Sequence, residues 1–155
     1  ACIADFERFE KHLEDTPYDV IHFNFGLNDI FRGRNGAWHN PVDQYAKDLA
    51  KIVTLLKKNG AEVIWATITP IPANAPHNPE GDDLIYNAAA EKVMKENRIP
   101  INDLHSVVTR WNGYAEWKNG DDVHFPGNVY GKLAEQVAQK ISEQLKIRRN
   151  RSKDQ

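Results

Sequence analysis

The segment Tyr18 to Phe25 is apolar on both faces apart from Asp19 at its start and His22 and Asn24. A strand with one wet face alternates apolar and polar residues, so a run of β-branched and aromatic residues like this one needs cover on both sides. That is the condition of a strand in a parallel sheet packed between helices. Glu62 to Thr67 repeats the pattern. Between the two runs lies a helical stretch opened by Asn40-Pro41. It carries Val42, Tyr45, Leu49, Ile52, Val53 and Leu56 on one face and is stopped by Gly60.

The remaining segments continue the alternation. Ile3, Phe6, Phe9 and Leu13 are spaced as a short amphipathic helix over residues 3–13. A loop with four prolines between Pro70 and Pro79 precedes a helix from about Asp83 to Asn97, and Arg98 to Ile101 reads as a short third strand. Val129, Leu133, Val137, Ile141 and Leu145 recur at i+4 along a last helix from about Asn128 to Leu145. This order of elements is that of an open α/β sandwich with a parallel sheet. At 155 residues the chain is one domain. Its body is expected to be residues 1–146, with 147–155 as a basic flexible tail: the last ten residues hold five basic side chains against one acid.

Composition narrows the partners. With 41% hydrophobic and 27% charged residues the chain is neither disordered nor a fibre. Apolar runs such as Val63–Ala66 are far too short for a membrane span. A net charge of −2 gives no global attraction to nucleic acid or anionic lipid. The single cysteine, Cys2, allows neither an internal disulfide nor a zinc cluster, and His12, His77 and His105 have no metal-ligand spacing. No cofactor is expected, and the compartment is left open.

In open α/β sheets ligands bind beyond the carboxyl ends of the strands. That rule selects Gly26–Asp29, Thr69–Gly81 and the loop between Asp103 and Asn128. In the first, glycine lets the backbone turn sharply, and Asn28 presents an amide N–H where negative charge develops. In the third, Asp121 stands three residues before His124, an arrangement able to orient an imidazole and stabilise its charged form. Arg32, Arg34, Trp38 and His39 follow the first turn, and Trp111, Tyr114 and Trp117 precede the Asp121 loop. Both groups suit either substrate contact or packing. His22 and Asn24, mid-strand, read as hydrogen-bonded core residues.

Taken together, Gly26-Leu27-Asn28-Asp29 after a central strand and Asp121-Asp122-Val123-His124 before the last helix resemble two motif blocks of the SGNH (GDSL-type) hydrolases, G-x-N-D and D-x-x-H. Ala66-Thr67-Ile68-Thr69-Pro70, Tyr86-Asn87 and Ile101-Asn102-Asp103-Leu104 fit between them, so the resemblance runs from about residue 3 to residue 145. It implies a three-layer α/β/α sandwich with a flavodoxin-like parallel sheet. It also implies a serine esterase or acylhydrolase acting on a carbohydrate ester or other small ester. On this resemblance His124 is the general base, Asp121 its orienting carboxylate, Asn28 an oxyanion donor with Gly26 shaping its turn, and Asp29 a loop-holding residue.

The family's G-D-S block, which carries the nucleophile, and its glycine donor are absent. The serines are Ser106, Ser142 and Ser152, none in a G-D-S context. The chain therefore reads as a member lacking its N-terminal strands. The Tyr18–Phe25 strand is left as an apolar sheet edge that a missing segment or another chain would cover. Two other classes compete with an esterase whose serine lies outside this chain. A non-catalytic ligand- or carbohydrate-binding module would keep the pocket without the nucleophile. A flavodoxin- or receiver-like nucleotide domain fits the element order, but it lacks a phosphate loop and leaves D-x-x-H unexplained.

Overall fold

A computed structural model describes residues 10, 11, 13, 16–33 and 35–151. Residues 10, 11 and 13 are helical; the rest of the helix expected over 3–13, with Cys2, His12, Arg34 and Ser152, lies outside the described residues. The elements are β1 (Val20–Phe23), α1 (Leu27–Ile30), α2 (Val42–Lys58), β2 (Glu62–Ala66), α3 (Asp82–Asn97), β3 (Ile101–Asn102), α4 (Leu104–Thr109), α5 (Tyr114–Trp117) and α6 (Gly127–Arg151).

The sheet is parallel, in the order β1-β2-β3. Val20 stands opposite Glu62 and Phe23 opposite Trp65, while Trp65 and Ala66 pair with Ile101 and Asn102. The period of two divides β2 between two layers. Val63 and Trp65 join one cluster with Leu49, Ile52, Val53 and Leu56 of α2 and Ala90 and Met94 of α3. Ile64, fully buried, faces the other way, where α6 crosses all three strands. The result is the expected α/β/α sandwich.

Burial tracks position in the sheet. Four of the five β2 residues are buried, but only Phe23 of β1 is, because β1 has a single strand neighbour among the described residues. Asn24 substitutes for the ladder at the end of β1: its side-chain amide donates to the carbonyls of Ala66 (2.8 Å) and Thr67 (3.1 Å). The Asn102 side-chain N–H donates to His22 Nε2 at 3.0 Å, and Asn102 Oδ1 accepts the amide N–H of Gln136 on α6 at 3.0 Å. Burial lowers the His22 pKa, which favours the neutral ring whose Nε2 can accept this N–H. His22 is thus a half-buried, hydrogen-bonded sheet residue, whereas Asn24, just past β1, is bonded but exposed and not the core residue expected.

Three boundaries differ from those expected. Arg98 is not strand but the left-handed cap of α3 (φ 57°), its N–H on Lys95 O, which delays β3 to Ile101. Asn40 does not cap α2, whose N-cap is Pro41. Its amide instead holds Asp29 Oδ1 at 3.0 Å and its carbonyl takes the Tyr86 hydroxyl at 2.6 Å, locking α1 to α2 and α3. Finally, residues 147–151, expected to be flexible tail, continue α6. Arg148 reaches Asp19 and the Gly60 carbonyl, and Arg151 reaches Glu62, so the basic residues fasten this end to the sheet's amino edge.

Candidate functional site

All three segments selected from the sequence lie where the strands end, and the proline loop joins the other two. Asn78 donates to Leu27 O at 3.0 Å and His77 O accepts Arg32 N–H at 2.8 Å on one side. On the other, Ala73 and Asn74 N–H groups bond the carbonyls of Lys118 and Gly120, 2.8 and 3.1 Å. Asn28 and His124 are therefore held at one sheet edge by a single intervening loop. No hydrogen bond joins them directly.

Gly26 has φ 139°, a conformation that glycine alone adopts easily. A Cβ there would lie 2.1 Å from Ile68 Cδ1, so the residue also has to be small. The turn runs into α1, a single helical turn closed by Ile30 N–H on Gly26 O at 2.9 Å. Asp29 is fully buried and held by Asn40, a structural role as expected. Asn28, one residue earlier, is exposed, and its amide makes no hydrogen bond among the described residues. It is the group of this turn left available to a ligand.

His124 is set by its loop. Trp117 donates its indole N–H to the His124 carbonyl at 2.9 Å, Phe125 packs on Trp117 at 4.6 Å, and Tyr130 closes on Phe125 at 6.0 Å. Trp117 and Tyr114 thus pack within the loop, with ring centroids 6.1 Å apart. The expected bond between Asp121 and His124 is not formed. Asp122 Oδ1 accepts both the His124 backbone N–H (2.9 Å) and Nδ1 (2.6 Å), and Asp121 is exposed with no partner among the described residues. The reason is local: an aspartate closes an Asx turn onto the residue two ahead before one three ahead can reach the ring. Those two bonds hold the Asp122 pKa below the ordinary carboxylate value. With the two side chains 76% and 69% exposed, water competes for both ends of the contact, which does not pin the ring.

Behind this edge lies a polar cluster that no sequence spacing announces. Asp82 (side chain 8% exposed) pairs with Arg32 at 2.7 Å and takes the Trp38 indole N–H at 3.0 Å, while Arg32 lies over the Trp38 ring at 4.7 Å. Arg32 and Trp38, two of the residues suited by sequence to either substrate contact or packing, are engaged in this packing. Asp83, beside it, holds His105 Nε2 at 3.0 Å. Burial disfavours a charged Asp103. The hydroxyl and N–H of Ser106, the His105 charge and Thr67 outweigh it and bring the Asp103 pKa below its ordinary value. Ser106 is thereby used as a helix-cap partner, and Ser142 bonds Ala138 O inside α6. Tyr86 is pushed up to about 12 by burial and by the negative charges of Asp82 and Asp29.

Among the described residues no group of three or more His, Cys, Asp or Glu side chains is placed to hold a metal ion, and no helix is long and apolar enough to cross a membrane.

Residues 4–131 match the GDSL-like lipase/acylhydrolase family. An arylesterase of Vibrio mimicus is 25% identical over 140 residues, covering 89% of this chain and 63% of the relative, so the chain spans under two thirds of that protein's length. The structure resembles a lipase/acylhydrolase from Enterococcus faecalis (TM-score 0.76, 21% identity, 91% of this chain and 70% of that one). It also resembles an acetyl xylan esterase (TM-score 0.74, 21% identity, 91% and 76%). At these identities the structural likeness speaks for the fold.

Proposed function

The chain belongs to the GDSL-like lipase/acylhydrolase family, and from that premise we propose that the protein is a serine ester hydrolase whose nucleophile lies on a segment outside these 155 residues. The observation that carries this reading is the placement of the G-x-N-D turn and the D-x-x-H loop on one sheet edge. Asn28 is exposed and uncommitted, and His124 is exposed on a loop anchored by Trp117. The serine Oγ attacks the ester carbonyl and its proton passes to His124 Nε2. The Asn28 amide donates to the oxygen as it becomes an oxyanion, and the imidazolium protonates the leaving alcohol as the ester C–O bond breaks. A water that gives its proton to His124 then attacks the acyl-serine, releasing the acid and returning the proton to the serine.

Asp121, at the D-x-x-H spacing, is proposed as the carboxylate that steadies the imidazolium in the assembled site. The exposed Asp122 contact is exchanged for it when the ring turns to meet the serine. An acetylated carbohydrate is the proposed substrate class, supported by the likeness to the acetyl xylan esterase.

The test is hydrolysis of p-nitrophenyl acetate and acetylated xylo-oligosaccharides by this chain and by a form carrying the preceding coding segment. The 155-residue chain is expected at background. The longer form is expected to turn over and to be silenced by a serine-directed phosphonate. Turnover by the short chain that survives His124→Ala would overturn the assignment. A longer form inert toward acetyl, short-acyl and sugar esters would favour the binding-module reading.

A further inference from the structure

The chain holds four Asn-Gly pairs: Asn35-Gly36, Asn59-Gly60, Asn112-Gly113 and Asn119-Gly120. At such a pair the glycine nitrogen, unshielded by a Cβ, is the backbone nucleophile best able to reach the asparagine side chain. After losing its proton to hydroxide it attacks Cγ. The bond from Cγ to the side-chain nitrogen breaks, ammonia leaves and a succinimide closes. Water opens that ring at either carbonyl, giving aspartate or isoaspartate. A fold slows the reaction wherever it binds the asparagine amide or the glycine N–H, because those bonds have to open first.

Three of the pairs are bound in this way. Asn35 Oδ1 accepts Ala37 N–H at 3.1 Å, and Gly36 N–H donates to Gly33 O at 2.9 Å. The Asn59 amide donates to Leu13 O and Thr16 O and accepts Tyr18 N–H, with Gly60 N–H on Lys57 O. Asn119 donates to Ala115 O at 2.9 Å, and Gly120 N–H to Trp117 O at 2.9 Å. Asn112-Gly113 has no such protection. Asn112 is exposed, and neither its side chain nor the Gly113 N–H has a hydrogen-bond partner among the described residues. A single turn bond, Tyr114 N–H to Trp111 O at 2.9 Å, spans the pair.

We propose that Asn112 is a site of spontaneous deamidation and that its isoaspartyl product loosens the loop carrying His124. The inference stands apart from the esterase reading. An isoaspartyl link adds a methylene to the main chain immediately before Gly113. The backbone has little slack there: a Cβ on Gly113 would lie 2.4 Å from Trp111 Cζ2. Gly113 O accepts Trp117 N–H at 3.1 Å, and the Trp117 indole in turn holds the His124 carbonyl at 2.9 Å. A displaced Gly113 therefore acts directly on the residue that anchors His124.

The test is incubation of this chain in mildly alkaline buffer, folded and in urea, followed by peptide mapping with mass spectrometry that separates aspartate from isoaspartate. In the folded chain Asn112 should convert at least about tenfold faster than Asn35, Asn59 or Asn119, the order expected when each of those must first break two or more hydrogen bonds. In urea the four rates should converge. Another pair converting as fast as Asn112 in the folded chain would overturn the assignment. So would a folded chain intact at Asn112 when the urea sample has reacted fully, or the same ranking with and without urea. For the second half of the proposal, hydrogen exchange at the Trp117 indole N–H should be accelerated by about tenfold or more in the purified isoaspartyl form. Exchange equal to that of the parent would overturn the effect on the His124 loop.

Discussion

Replacing Gly26 by alanine should show how tightly the turn that presents Asn28 is specified. Two costs add. The φ of 139° lies where a side chain strains the backbone, roughly 1–3 kcal/mol for a residue held in a sparsely populated region. The new methyl would sit 2.1 Å and 2.7 Å from Ile68 Cδ1 and Cγ1 and 3.3 Å from the Tyr45 hydroxyl. Ile68 is 1% exposed, so it has little room to retreat. Overpacking of that kind costs about 1–3 kcal/mol. Together they give roughly 2–6 kcal/mol, or a fall in Tm of about 5–20 °C at this chain length. Thermal unfolding followed by circular dichroism measures it. Gly60→Ala is the control for the backbone term, because φ is 80° there and nothing lies within 4 Å of the added carbon. In an Ile68→Ala background the steric share should vanish and the Gly26→Ala cost fall by about 1–3 kcal/mol, the overpacking part. A Tm within about 2 °C of the parent, or the same cost with and without Ile68, would refute the reasoning.

Protonation of His22 should make the fold less stable in mild acid. Its pKa is lowered in the folded chain, so on acidification the unfolded chain takes up the proton first. The contribution is fully present above about 6.5 and is lost as pH falls from there through the lowered folded value, with a slope of at most ~1.4 kcal/mol per pH unit. Urea titrations between pH 5 and 7 should show that slope flattened in His22→Gln; an unchanged slope refutes it. Asp82→Ala removes the partner of both Arg32 and the Trp38 indole. With Arg32 a third exposed, it should cost about 1–3 kcal/mol, less than a fully buried pair, and should raise Trp38 quenching by iodide. Between the two carboxylates, Asp121→Asn in a hydrolysing form should lower kcat by about three to four orders of magnitude and Asp122→Asn by less than about tenfold, since only the residue that orients the imidazole controls its tautomer. The opposite ranking would give the role to Asp122.

The helix α2 was legible because its apolar residues recur at one helical period, and the strand β2 because it is a short run apolar on both faces. Edges were less so. Arg98 carries no mark of a left-handed cap, and Asn40-Pro41 looks like a helix start until Asp29 and Tyr86 claim its polar groups from 11 and 46 residues away. The same distance in sequence hid the Asp82–Arg32–Trp38 and Asp83–His105 contacts. That the two motifs lie on loops at the strand ends was readable because strand ends and loop motifs are local. The Asp122 contact was not, because its choice over Asp121 is settled by turn geometry and solvent, which spacing does not encode.

The central claim is that His124 is the base of an esterase site. The direct measurement is kcat/KM for acetyl ester hydrolysis by the longer form, with and without His124→Ala. A loss of several orders of magnitude at unchanged Tm, as for other triads, is predicted. A loss of less than about tenfold would contradict it, since an essential general base contributes at least a hundredfold.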